Sequence, residues 1–470
     1  MNETQTTQDI AQLATEKTEL RREVGLFGGI SVLAGIMVGS GIFYIGSYVL
    51  VRSGMSLGLA LLVWLVGGLI TLMSGICFAE LGAMMPKAGG SYVYLREAYG
   101  ERVAFLSGFT NFVLGSSGSN AALAVAFSAA LSSLMPMAGF AQKIVAVVMI
   151  VLLTVVNVYG VKLGSMVQNV FMVLKMLPIF AILIAGLLFG KETPNLSLMP
   201  ASSPSIGKIL GMVAFGVIAT MWAYEGWTNL NTIAEEIKKP KKNLPLAIIV
   251  SITGVAVLYV LFNYAIYRVL PYDTITAMIN GGDYYLGTAA AKTLFGSTGQ
   301  IIVGSAMILA IFNSLNGCIM VFPRSYYAMA RDGAFFKGMA KLHPTYKTPV
   351  NALVVSAAVS ILLVLSRDLG QLTSLVAICG ILFNGLTFYS VILLRKKYPT
   401  LERPYKVWGY PVLIILVCLV MVGLVINTFV EDPVTSLWGF LVPIVGLVVY
   451  ELGFKKSREK YLAQKEEEEE

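Results

Sequence analysis

Charge is what this chain has least of. Only 13% of its 470 residues are Asp, Glu, Lys or Arg, against 57% that are hydrophobic, whereas soluble domains carry roughly a quarter charged residues. Too little charge remains to coat a water-facing surface, and the mean hydropathy of +0.77 agrees. Histidine is nearly absent: His343 stands alone in a loop beside Pro344 and is no ligand candidate. The four cysteines, Cys77, Cys318, Cys379 and Cys418, form no CxxC pair and fall inside apolar stretches. They read as small packing residues, and neither a disulfide framework nor a zinc site is implied. Ten-residue alternation is missing too, and with it a porin-like barrel. Residues 1 to 25 are polar, so no cleavable signal is expected.

What is present is a series of twelve apolar stretches between Leu26 and Tyr450. Each is near the twenty or so residues that cross a hydrocarbon layer about 30 Å thick as a helix. The expectation is an all-α membrane protein with twelve transmembrane helices. An even count puts both termini on one side. Lys and Arg divide 26 to 7 between the two sets of loops, and the richer set, which includes both termini, is cytoplasmic. The net charge of +8 therefore describes the inner face of a plasma membrane facing anionic lipid, and not a nucleic-acid surface. The tail Glu466 to Glu470 is expected to be solvated and disordered. The longest loop, between the seventh and eighth stretches, carries turn signals at Pro271 and Gly281-Gly282.

Two stretches break the pattern of a regular membrane helix. The first reads Gly35-Ile36-Met37-Val38-Gly39-Ser40-Gly41-Ile42-Phe43, and the sixth reads Met221-Trp222-Ala223-Tyr224-Glu225-Gly226-Trp227-Thr228-Asn229. Small residues in one membrane helix read equally well as close packing. Glycine-interrupted segments in corresponding positions of two halves point instead to an inverted-repeat transporter with its site at the midplane. The implied division is 1–25 as a cytoplasmic segment, 26–190 as the first repeat (helices 1 to 5) and 207–394 as the second (helices 6 to 10). Residues 407–450 add helices 11 and 12, and 451–470 form a cytoplasmic tail.

An unwound helix in lipid bares N–H and C=O groups that only a cavity or ligand can satisfy. The N–H groups near Gly39, Ser40 and Gly41 start a half-helix and suit a carboxylate. The carbonyls near Met37, Trp222 and Glu225 suit an ammonium group. Both ends together describe an α-amino acid. Lys175, deep in the fifth stretch, is costly unless paired or functional; a fixed cation aimed at the carbonyls of the first break would do what a sodium ion does elsewhere. Glu225 has four open roles: neutralising Lys175, hydrogen-bonding locally, reading a cationic substrate, or carrying a proton. Trp222 is placed to cover a bound amino acid as a gate, with Trp227 on the other flank of the break. Asn313, Ser314 and Asn316, and Ser116, Ser117, Ser119 and Asn120, read first as scaffold.

At these residues the sequence resembles the L-type branch of the amino acid, polyamine and organocation transporter superfamily, as a bacterial-type member, over about Glu23 to Tyr450. The motifs are Gly39-Ser40-Gly41-Ile42-Phe43, Pro86-Lys87-Ala88-Gly89-Gly90-Ser91-Tyr92, Lys175, and Trp222 to Asn231 running into Ala234-Glu235-Glu236-Ile237-Lys238-Lys239-Pro240 and Asn243-Leu244-Pro245. Ser314-Leu315-Asn316-Gly317 and Arg403-Pro404-Tyr405-Lys406-Val407 complete the set. The resemblance implies a 5+5 inverted-repeat (LeuT-like) fold with helices 1 and 6 broken, alternating access, and sodium-independent exchange. By position it assigns the substrate α-groups to Met37, Gly39, Ser40, Gly41, Trp222 and Glu225, the gate to Trp222, and the sodium-substituting role to Lys175 with Tyr259 as its neighbour. An acidic residue at Glu225 resembles carriers of cationic amino acids, where many neutral carriers have a small residue. Thr228 replaces a common asparagine. The outward loop Ser132 to Lys143 has no cysteine, so a disulfide to a heavy-chain partner is not expected.

The reading is an amino acid exchanger. Its rivals are a proton-coupled amino acid or polyamine importer and a transporter-like nutrient receptor, the last lacking a signalling domain. An enzyme would need a nucleophile, base or metal set inside the bilayer, for which one loop histidine and scattered cysteines are inadequate. No cofactor or metal is called for.

Overall fold

In lipid a chain satisfies its backbone N–H and C=O groups most simply by coiling into helix. The computed structural model describes residues 13–367, 369–431 and 433–469. The first twelve residues of the amino-terminal segment and Glu470 of the tail lie outside the described residues. The α-helices begin with α1 (Leu26–Met37), α2 (Ile45–Arg52), α3 (Leu57–Met84), α4 (Ser91–Tyr99) and α5 (Glu101–Thr110). There follow α6 (Ser116–Leu134), α7 (Gly139–Val158), α8 (Val161–Phe189), α9 (Ile206–Tyr224) and α10 (Pro240–Val269). Next come α11 (Tyr272–Asn280), α12 (Leu286–Phe295), α13 (Ser297–Val321), α14 (Pro323–Arg331) and α15 (Val350–Ser366). The chain closes with α16 (Leu369–Lys397), α17 (Val412–Glu431), α18 (Pro433–Val449) and α19 (Lys455–Glu469). Among the described residues the only β pairing is two isolated bridges, Val24 to Ile237 and Ala88 to Ile233.

Eight helical runs among the described residues are long and apolar enough to cross a bilayer; α1 and α15 are apolar but shorter. Helix packing without a hydrophobic drive from water depends on close approach. The pairing of α3 with α10 shows how the sequence arranges it. Gly68, Gly75 and Gly82, seven residues apart, lie on one face of α3. A Cβ on them would stand 2.6, 2.3 and 2.6 Å from Ala256, Ile252 and Leu244 of α10. The partner numbers fall as the glycine numbers rise, so the helices run antiparallel along this seam. α1 is held inside by α8, α10 and α13, the three helices that reach its broken end.

The structure differs from the sequence reading in two segments. The stretch between α10 and α13 is not a plain loop: it folds into α11 and α12, burying Ile275, Ile279, Leu286, Ala290 and Ala291. Helices of nine and ten residues carry no long apolar run to announce them. The tail is helical through Glu469 rather than disordered. Arg458 anchors α19, donating to Glu101 Oε1 at 2.6 Å and to the Asp332 carbonyl.

Three of the quoted motifs, those at 86–92, 222–240 and 403–407, are tied down by buried polar contacts. The Gly89 N–H donates to the Thr232 carbonyl (3.0 Å). Arg324 pairs with Glu236 (2.7 Å), both buried, and Arg331 with Glu235 (3.0 Å). Arg395 reaches Glu80 at 2.6 Å, and the Val407 N–H donates to the same carboxylate at 2.6 Å.

Candidate functional site at two helix breaks

Both glycine-bearing segments break. α1 stops at Met37; Val38 turns out (ψ 77°) and Gly39 is extended. A single 3-10 turn, Ser40–Phe43, precedes α2. The free N–H groups of Ser40 and Gly41 thus open a four-residue turn, not the end of a long half-helix. α9 stops at Tyr224, Glu225 is extended, and Gly226 takes φ 116°. Glycine is required there twice over. The angle is left-handed, and a Cβ would stand 2.5 Å from Ile36 Cγ2 and 3.4 Å from the Met37 nitrogen. The two breaks touch at this point.

Most of the carbonyls bared by the first break are already bound. Lys175, wholly buried on α8, donates from Nζ to the Gly35 carbonyl at 2.6 Å and the Val38 carbonyl at 2.7 Å. Ser314 Oγ on α13 lies 3.1 and 3.2 Å from the Gly35 and Ile36 carbonyls. The Tyr259 hydroxyl on α10 lies 2.9 Å from the Met37 carbonyl and 2.8 Å from the Ala223 carbonyl; its single proton bridges the two breaks. The Met37 carbonyl also accepts the Gly39 N–H (2.9 Å). Lys175 spends its bonds on carbonyls, and Glu225 joins no ion pair among the described residues. Neutralisation of one by the other is therefore not what the structure contains.

A cavity of about 270 Å³ lies against both breaks, lined by Met37, Gly39, Ser40, Gly41, Trp222 and Glu225. Trp222, 41% exposed, and Glu225, also exposed, both stand at its wall. Trp227 instead packs into the core between Phe78 and Phe388. The cavity extends to Gly89, Ser91 and Ser325 at the amino-terminal end. Tyr44, which also lines the cavity, packs on Tyr285 (5.7 Å), and Tyr48 stacks on Tyr284 (4.6 Å). Ser47 Oγ donates to the Tyr284 carbonyl at 2.6 Å.

Of the polar clusters read as scaffold, Ser116, Ser119 and Ser314 line the cavity, while Asn316 bonds away from it to Gln168 and Gly164. Asn111 and Asn384 line it as well and were missed. Asn111 begins a π-helical turn through Gly115, which widens the helix locally and has no compositional mark. Asn384, a lone amide in an apolar run, was a visible signal. His343 Nδ1 accepts the N–H groups of Thr345 and Tyr346 (3.1 and 3.2 Å), a turn-closing role.

A multi-pass helical membrane protein whose cavity sits where two helices unwind belongs to the class of membrane carriers. Comparison with known proteins narrows the class. The chain belongs to the amino acid permease family, whose model matches residues 24–450. It is similar to the serine/threonine exchanger SteT of Bacillus subtilis, 31% identical over 94% of this chain and 99% of that protein. It is also similar to the mouse b(0,+)-type amino acid transporter 1, 32% identical over 92% of this chain and 88% of that protein. The human large neutral amino acids transporter small subunit 2 is 31% identical over 92% of this chain and 81% of that protein.

Proposed function

We propose that this protein is a sodium-independent exchanger of L-amino acids that works by alternating access in the plasma membrane. The observation that carries the reading is Lys175 seated on the Gly35 and Val38 carbonyls beside an open cavity. A bound ammonium supplies the charge that a coupling cation would otherwise bring, so no sodium ion is needed to hold the break. The relatives' activities support the same reading. Twelve membrane helices, divided 5+5 at residues 26–190 and 207–394 with 407–450 added, account for a break in the first and sixth. Both termini then face the cytoplasm, and the cavity's extension toward Gly89 and Ser325 corresponds to an inward-facing pose.

The substrate carboxylate is held by the N–H groups of Ser40 and Gly41, with Gly39 leaving room for it. The ammonium group meets the carbonyls of Trp222 and Glu225, and the Trp222 ring covers the site. The Met37 carbonyl, at the same cavity wall, joins those carbonyls. The unpaired Glu225 carboxylate favours substrates with a second cationic group. No disulfide-linked heavy chain takes part.

Counterflow in proteoliposomes tests the proposal. Uptake of labelled amino acid should require unlabelled amino acid inside and be equal in sodium and choline buffers. Uptake driven by an imposed pH gradient into empty vesicles would instead mean proton-coupled import, and binding without any flux would mean a receptor.

A further inference from the structure

The buried face of α8 changes character along its length. Gly164, Ser165, Gln168 and Lys175 form one half of it, and Ile179, Ile182 and Leu183 the other. On the polar half a chain of amide bonds crosses three further helices. Asn157 of α7 donates to Asn316 Oδ1 of α13 at 3.1 Å, and Asn316 donates to Gln168 Oε1 at 2.9 Å. Gln168 donates in turn to the Ser31 carbonyl of α1 at 3.2 Å. The chain ends at the Ser31 carbonyl, one turn before Gly35, the residue whose carbonyl Lys175 holds. The amide nitrogens of Gln168 and Asn313 lie 2.2 and 2.9 Å from where a Gly35 Cβ would stand.

Asn313 breaks the rule that buried polar groups are paired. It is wholly buried, and neither its Nδ2 nor its Oδ1 has a partner among the described residues. Asn157 Oδ1 and Ser31 Oγ, also fully buried, are in the same condition. Each such group costs about 1–3 kcal/mol if left unsatisfied, and buried water is the usual remedy where several polar atoms converge. These groups are neutral, offer donors as well as acceptors and include no carboxylate. That suits water, not a hard cation, which takes oxygen ligands only.

We propose that Ser31, Asn157, Gln168, Asn313 and Asn316 hold a short file of ordered water between α1, α7, α8 and α13. The file runs from the Asn157 end of α7 to Gly35 and stops there, because α8 turns apolar beyond Lys175. None of the five residues lines the substrate cavity. By satisfying Asn313 and Gln168 where they abut Gly35, the file fixes the turn whose carbonyls Lys175 binds.

Radiolytic hydroxyl-radical footprinting of the full chain in lipid nanodiscs tests this, since water bound in place oxidises its immediate neighbours. Met320 is wholly buried, with its sulfur 3.3 Å from the position of a Gly164 Cβ that would also meet Asn157 Oδ1. Met84, buried on α3 and not part of the cavity lining, is the control. Met320 should oxidise at least fivefold faster than Met84, and equal rates would overturn the proposal. Asn313→Leu should slow Met320 oxidation and lower the melting temperature; a higher melting temperature would mean the amide sat dry, which also overturns it. If that variant does not fold, the wild-type comparison decides alone. A melting temperature raised by sodium over choline in the wild type and not in Asn313→Leu would put a cation in the site and reject the water file.

Discussion

Lys175 and Tyr259 divide one turn of main chain between them. Lys175 takes the carbonyls of Gly35 and Val38, and Tyr259 takes that of Met37 while also reaching Ala223 in the second break. Charge holds the first break to α8, and a neutral hydroxyl ties it to the other break. The turn therefore persists without help from a bound ligand.

Lys175→Ala removes two charge-assisted bonds, each worth about 1.5–3 kcal/mol. Exchange in proteoliposomes should fall at least tenfold while membrane insertion and yield stay near wild type. An unchanged rate would show that the lysine is packing only.

Gly226→Ala places a methyl group 2.5 Å from Ile36 Cγ2 in a left-handed backbone position, a strain of about 1–3 kcal/mol. The expected result is a folded protein that no longer gains thermal stability from its amino acid substrates. Full ligand stabilisation in this variant would argue that the contact between the breaks does not shape the site.

Glu225→Gly deletes the carboxylate in the cavity. Competition assays should show inhibition by lysine, arginine and ornithine weakened roughly tenfold, with inhibition by neutral amino acids retained. If the wild type is never inhibited by the cationic compounds, the carboxylate does not read substrate charge.

Glu235 provides a pH test outside the membrane-spanning segments. Burial alone would raise its pKa. Arg331, donating twice at 3.0 Å, and the Thr18 hydroxyl at 2.7 Å outweigh that and hold the carboxyl below its ordinary value. A depressed pKa adds stability that is complete above the unfolded value of about 4.3 and is lost as pH falls through the lower folded one. Thermal unfolding between pH 3 and 6 should show this loss in the wild type and a flatter profile in Glu235→Gln.

The breaks were legible because glycine and an ionisable residue in mid-span contradict both helix propensity and lipid solubility, so Gly39-Ser40-Gly41 and Glu225-Gly226 stood out. Lys175 stood out for the same reason, since an unpaired ammonium is costly there. The occupancy of the Met37 carbonyl was not legible. It depends on where Tyr259 arrives from α10, and one tyrosine among 22 has no local mark of that role. α11 and α12 were hidden because short helices outside the bilayer need only three or four apolar positions. The π turn at Asn111 was hidden because one extra residue per turn leaves the composition unchanged.

The contact of Gly226 with Ile36, together with the shared tyrosine, has a mechanical consequence. A displacement of either interrupted segment is felt by the other, through one side-chain contact and one hydroxyl.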